Sequence, residues 1–298
     1  MNRTKGFVCV IIAAFIFGYT PILGKLSYDG GSNSIMLVFL RNTMCLPIIY
    51  AMLKYKKVSI RVTKKEFGKL FILSVFSTIL TALLLYSSYN YVSVGMATTV
   101  HYVYPIFVAI ISTVIFKEKI TKVKVAALVI SFIGILMFFD GNGSGEVSFL
   151  GLFIALASGI AYGIALIYMD KSGLKDYYPL LVTFYTCVCS GVVMLVFALL
   201  TNKLTFNLTP EAWGYSFLVS ILASVIAITF MQIGVKNVGP TTTAILCTFE
   251  PITSVVLGVL LLNEYCSAKV VFGCVLIFVA VGILSIFGRE KKNKNTPT

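Results

Sequence analysis

The chain has 298 residues, of which 58% are hydrophobic and only 12% charged, with a mean hydropathy of +0.96. A soluble domain is about half apolar and about a quarter charged, so this composition excludes an ordinary soluble domain or a soluble enzyme with a large core. The net charge of +13 would point to nucleic acid in a soluble protein. Here the basic residues sit in short connections between apolar runs, where they report topology in a lipid bilayer, and no nucleic-acid partner is expected.

A membrane span needs about 20 mainly apolar residues to cross ~30 Å of hydrocarbon. In chain order, such stretches fall at 7–24, 35–53, 67–90, 95–116, 123–139, 148–169, 178–200, 212–234, 239–262 and 268–287. Helices are expected throughout, because backbone in lipid must satisfy its own hydrogen bonds and no strand-like alternation appears. The first stretch has the charged-then-apolar profile of a signal peptide. No A-x-A cleavage site follows it and further spans come after, so it reads as a retained helix.

Basic residues set the direction. Arg3 and Lys5 precede the first span, and the connection between spans 2 and 3 carries Lys54, Lys56, Lys57, Arg61, Lys64, Lys65 and Lys69. The same side takes Lys117, Lys119, Lys122 and Lys124, then Lys171 and Lys175, Lys236, and in the tail Arg289, Lys291, Lys292 and Lys294. Only Lys25, Lys203 and Lys269 lie on the other side, with Arg41 inside a span. This asymmetry places both termini in the cytoplasm of a multi-pass inner or plasma membrane protein.

The chain also reads as duplicated. Shifting it by 146 positions lays Pro105 on Pro251, Ile106 on Ile252 and Glu118 on Glu264, and then Val125 on Val271, Val129 on Val275 and Phe132 on Phe278. Each half holds five spans, an odd number, so the second half must enter the membrane upside down. The expected fold is therefore all-α and integral to the membrane, with ten transmembrane helices as two inverted five-helix repeats. The first repeat is 1–140, the linker 141–147, the second repeat 148–290 and the cytoplasmic tail 291–298. Such repeats are common among secondary transporters, whose substrate site lies near the midplane at the repeat interface.

The segments "GMATTVHYVYPIFVAIISTVIFKEKIT" and "GPTTTAILCTFEPITSVVLGVLLLNEYCS" share a threonine-rich entry, a proline, an apolar run and a terminal glutamate. With ten spans in two halves, they resemble the EamA-domain members of the drug/metabolite transporter superfamily. The resemblance implies a ten-helix inner-membrane carrier with a central cavity, working by alternating access. Family members mostly export amino acids and related metabolites, while others import. Small four-span relatives keep an acidic residue in their first span, and this chain has none there.

Individual residues inside the spans point to chemistry. Glu250 lies about eleven residues into span 9, or ~16 Å along a helix, close to the midplane. An acidic residue there costs at least ~2.5–3.5 kcal/mol on insertion scales, so it faces a cavity or a partner. It suits proton coupling or recognition of a substrate amine, and helix packing before the proline is the competing role. Its partner position in the first half is Tyr104, so the carboxylate is not duplicated. Pro105 and Pro251 predict helix kinks that free the carbonyls of His101 and Cys247. His101, the single histidine, suits a proton relay or an interhelical contact. Arg41 is a candidate for a substrate carboxylate, with a pairing to Asp140 or snorkelling as its structural alternatives. Thr98, Thr99, Thr242, Thr243, Gln232, Tyr86 and Asn90 are polar lining candidates, and the tyrosines compete with a role in an interfacial belt. Glu118 and Glu264 end their spans at opposite faces and suit anchors or gates.

The seven cysteines form no CxxC pair and no His/Cys cluster, so neither a metal site nor a disulfide framework is expected. There is no Walker motif, phosphate loop or catalytic triad, and "GNGSGE" at 141–146 reads as a linker, so no cofactor and no enzymatic activity are expected. The leading expectation is a secondary permease for small polar metabolites, with a coupling proton and export of amino acids or their relatives. A multidrug or organic-cation efflux carrier, or an importer of a nucleoside, sugar or amine, is the alternative.

Overall fold

The protein is described from a computed structural model covering residues 2–88, 91–92, 94–137, 148–262 and 267–287, except for the side chains of Tyr86, Val94, Gly95, Met96, Thr99 and Leu262. Helix α1 spans Arg3–Asp29, α2 Ser34–Thr43, α3 Leu46–Tyr55 and α4 Lys64–Ser74. A π-helical segment, Val75–Leu80, carries α4 into α5, Thr81–Ser88. Then come α6 (Val94–His101), α7 (Tyr104–Val114) and α8 (Lys122–Leu136). The later part has α9 (Phe149–Lys171), α10 (Pro179–Leu200) and α11 (Pro210–Val219), and a second π segment, Ser220–Ala227, leads into α12 (Ile228–Val238). It closes with α13 (Pro240–Cys247), α14 (Glu250–Leu262) and α15 (Ala268–Phe287). Among the described residues there is no strand, and eight helical stretches, four of them joining adjacent elements (Ser34–Tyr55, Lys64–Leu85, Pro210–Val238 and Pro240–Leu261), are long and apolar enough to cross a membrane. The stretch expected at 95–116 is two short helices, and α8 is described over 15 residues.

The helix starts follow local chemistry. Asn2, Asn33, Thr63, Thr121, Ser148 and Thr209 each accept a backbone N–H with the side chain at the head of a helix. Such caps satisfy donors that the first turn leaves open. At α4 the cap is reciprocal, with Glu66 accepting from the Thr63 N–H.

The 146-residue offset reappears in these boundaries. Helices start at 3 and 149, at 64 and 210, at 94 and 240, at 104 and 250, and at 122 and 268, and the two π segments lie at 75–80 and 220–227. One departure is clear: α2 and α3 are separated by Met44 and Cys45, whereas the corresponding α10 runs unbroken. Packing is exchanged between the halves. The helix α1 lies against α11, α12, α13 and α14, while α9 lies against α5, α6 and α7; α2 packs on α10 and α8 on α15.

Small residues allow these contacts, since lipid supplies no hydrophobic drive between helices. A Cβ on Gly134 would sit 2.8 Å from the Gly273 carbonyl, so α8 and α15 touch backbone to backbone. Buried hydroxyls bind other pairs: Ser27 and Ser216 are 2.9 Å apart, Ser74 and Ser190 2.8 Å, and Ser190 donates to Thr78 at 2.8 Å. Each such bond contributes on the order of 0.6 kcal/mol.

Polar contacts close both ends of the bundle. At the end carrying the basic connections, Lys171 pairs with Glu118 at the end of α7, and Asp170 takes Lys171 at 3.2 Å and Lys175 at 2.6 Å. Lys236 reaches Asp176 at 3.6 Å, Lys69 donates to the Ser172 carbonyl at 2.7 Å, and the Tyr177 hydroxyl donates to Glu66 at 2.5 Å. That last bond pushes the Tyr177 hydroxyl pKa above its ordinary value. At the opposite end the Thr209 N–H donates to the Gly30 carbonyl at 3.0 Å, and Asn33 to that of Lys203 at 2.8 Å.

Candidate functional site

Two interruptions organise the middle of the bundle. Residues 102 and 103 separate α6 from α7, and residues 248 and 249 separate α13 from α14. Pro105 and Pro251 are each the second residue of the helix that follows. This corrects the expected kinks to breaks. A proline in the first turn needs no N–H partner and its fixed φ suits a helix start, so these residues begin new helices. Of the two freed carbonyls, one can be placed against a neighbouring helix. That of His101 lies against Gly159 of α9, where an added Cβ would be 2.5 Å away. On the other break, Gly18 of α1 gives the same close seat to the Glu250 carbonyl.

His101 ends α6, and Glu250 starts α14. The Tyr102 hydroxyl hydrogen-bonds the Glu250 carboxyl, and Arg41 lies within electrostatic reach of it. Around them is a group of rings. His101 is 5.7 Å from Tyr102, 5.6 Å from Tyr104 and 6.0 Å from Tyr162, and Tyr104 meets Tyr162 edge to face at 5.0 Å. Glu250, His101, Tyr102, Tyr162 and Arg41 are all only partly exposed. Tyr104 is buried and its hydroxyl has no hydrogen-bond partner.

Arg41 lies in the last turn of α2, just before the break at Met44–Cys45. Its backbone carbonyl accepts from Ser220 of the second π segment at 2.8 Å. Its Nε is buried without a hydrogen-bond partner. Asp140, its expected structural partner, lies outside the described residues. Beside it, the thiol of Cys45, in the break, approaches that of Cys187 on α10 to 3.7 Å.

Gln232 is buried and donates to Thr183 at 3.1 Å, and its Oε1 remains unpaired. Cys247 is buried with its thiol 3.2 Å from the Met231 sulfur. Thr242 and Thr243 are buried in α13, and Thr243 donates back to the Gly239 carbonyl at 2.8 Å. Thr98 is half-buried in α6. Asn90 and Glu264 fall outside the described residues, as do the side chains of Tyr86 and Thr99. The structure thus brings His101, Tyr104, Arg41, Cys247 and Glu250 into one neighbourhood, and places Gln232 and Thr243 in helix-to-helix or local bonds. Sequence reasoning passed over Tyr162 and Ser158. The pattern S-G-x-x-Y-G at 158–163 carried the signal, a polar and aromatic stripe on an otherwise small-residue helix face. No group of three or more His, Cys, Asp or Glu gathers among the described residues.

A solved crystal structure shares this fold with a TM-score of 0.83 at 16% identity, covering 95% of this chain and 97% of that one. A transporter of Clostridium kluyveri, described as uncharacterized, is 21% identical over 97% of this chain and 94% of its own length. A Synechocystis protein of the same description is 22% identical over 94% and 93%. The model of the EamA-like transporter family matches twice, at residues 4–139 and 149–286. With helices apolar enough to cross a bilayer and both matches covering nearly its whole length, the chain belongs to the EamA-like transporter family.

Proposed function

We propose that this transporter is a secondary-active permease that exports α-amino acids or closely related zwitterions by alternating access. The observation that carries the reading is the nearness of opposite charges within helical stretches of membrane-spanning length. Arg41 has a buried Nε with no partner, and Glu250 lies within its electrostatic reach beside a partly exposed group of rings. Charges held inside such stretches face a cavity or a partner. In this reading the guanidinium takes the substrate carboxylate, for which its planar fork is suited. Glu250 takes the ammonium group or the coupling proton. The matched helix starts and the exchanged packing support two inverted five-helix repeats, 1–140 and 148–290, joined by 141–147 and followed by the tail 291–298. The basic asymmetry supports cytoplasmic termini in the cell membrane.

A second reading, efflux of organic cations, is favoured by the four rings grouped near Glu250, since a cation is attracted to aromatic faces. One assay separates the two. Proteoliposomes preloaded with a labelled amino acid, its decarboxylated amine or its deaminated acid report which charge is required. The expected result is that the zwitterion leaves fastest and that Arg41→Gln slows it by at least about tenfold, the loss of one charge-assisted bond. Equal rates for the amine, unchanged by Arg41→Gln, would support the cation reading and discard the first.

A further inference from the structure

Ser158 of α9 is fully buried, and its Oγ meets two groups: the Nδ1 of His101 at 2.8 Å and the Ala155 carbonyl at 2.6 Å. A hydroxyl has one proton to give. A carbonyl oxygen only accepts, so two oxygens 2.6 Å apart are held together only when the serine proton lies between them. The proton of Ser158 is therefore committed to Ala155. What remains on Oγ toward His101 is a lone pair, so Nδ1 must supply the hydrogen.

From this we infer that Ser158 is a positioning residue that holds neutral His101 as the Nδ1–H tautomer and leaves Nε2 as its proton-accepting nitrogen. The state of one ring nitrogen is set by the bond the other makes. The neighbouring residue strengthens the grip, because Gly159 lets α9 come against the His101 carbonyl. A single turn of α9 thus fixes both the backbone and the ring of His101.

The groups facing this ring are few. Tyr102 lies in the break, Tyr104 on α7 and Tyr162 on α9, all at 5.6 to 6.0 Å between ring centroids. Cys247 of α13 and Glu250 of α14 lie near Tyr104 and Tyr162, and Arg41 of α2 lies near Tyr162. Glu250 is linked to this group through the Tyr102 hydroxyl. Resting on the carrier reading above, the tautomer gives His101 its part: Nε2 accepts the proton that Glu250 releases when substrate enters, through the tyrosines or a water.

His101 is the only histidine in the chain, which makes the tautomer directly readable. Protein labelled with 15N-histidine, purified on a tag that contains no histidine, gives one imidazole by NMR. Near neutral pH the expected spectrum has Nδ1 at a protonated-type shift and Nε2 at an unprotonated-type shift. Ser158→Ala should move the ring toward the commoner Nε2–H form, and Ser158→Thr should restore the original one. A wild-type ring in the Nε2–H form would overturn the assignment, whether or not any substrate is carried. In proteoliposomes, Ser158→Ala should displace the pH midpoint of transport by about one unit, a tenfold change in proton affinity, and Ser158→Thr should return it. An unmoved midpoint in both variants would overturn the coupling role.

Discussion

At the scale of single residues, the chemistry is concentrated where one half differs from the other. The position matching Glu250 in the first half is Tyr104, and the one matching His101 is Cys247. These four residues sit together at the two breaks, so the exchange of identities turns a duplicated frame into one asymmetric group. Glu250→Gln keeps the shape of the side chain and its capacity to accept from Tyr102, but removes titration. The expected outcome is a carrier that still folds and binds substrate but whose transport rate no longer varies with pH between about 5 and 9, a range wide enough to span a buried carboxyl. Rates measured across that range in proteoliposomes check it, and a retained pH profile would assign Glu250 to packing.

At the scale of elements, the helix boundaries were legible from apolar length and the breaks were not. Hydropathy sees a continuous run at 95–116 and at 239–262, because the residues of each break, Tyr102 and Val103 or Thr248 and Phe249, are compatible with a helix. The prolines flagged the right place with the wrong geometry. A proline inside a helix costs about 3 kcal/mol or more, but at the first turn it costs little. Pro251→Ala is thus expected to lower stability by no more than about 1 kcal/mol, through the freer unfolded chain, and to leave the break in place. Thermal unfolding of the purified variant checks the figure, and a large stabilisation would restore the kink. The π segments had no sequence signal at all. Their wide backbone turns, at Val75–Leu80 and Ser220–Ala227, are not encoded in any hydropathy pattern. π bulges are frequent at functional sites, and here the second one carries the serine that binds the Arg41 carbonyl.

At the scale of the whole molecule, ion pairs tie the connections at the basic end to α9 and α12. The site residues came together for a reason that a linear reading sees only in part: α1 and α9 are each donated to the opposite half, bringing Gly18 to Glu250 and Gly159 to His101. The offset was legible because prolines and glutamates recur; the exchange of partners was not, because it is a three-dimensional relation. The ion pairs at the basic end link the connection after α7, α9, α12 and the connection after α9. In the alternating-access cycle proposed above this end would open, so weakening the pairs should favour the open form. Reversing one partner, Glu118→Lys or Lys171→Glu, is expected to change the rate of transport several-fold, and the double reversal to return it. Since half-exposed pairs contribute about 0.2–1 kcal/mol, the effect on melting temperature should be small. Rates in the three variants check this, and a double variant no better than either single would show that the pair does not act as a unit.

The two π segments lie 146 residues apart in registers that differ by a single residue at the start. A wound-out turn is an unusual thing for a helix to acquire twice, at matching places, after two copies have begun to drift. Two like weak points, one on each side of the bundle, would let both walls flex by the same amount. The features without a counterpart, Glu250 opposite Tyr104 and His101 opposite Cys247, then bias a frame that is otherwise even-handed.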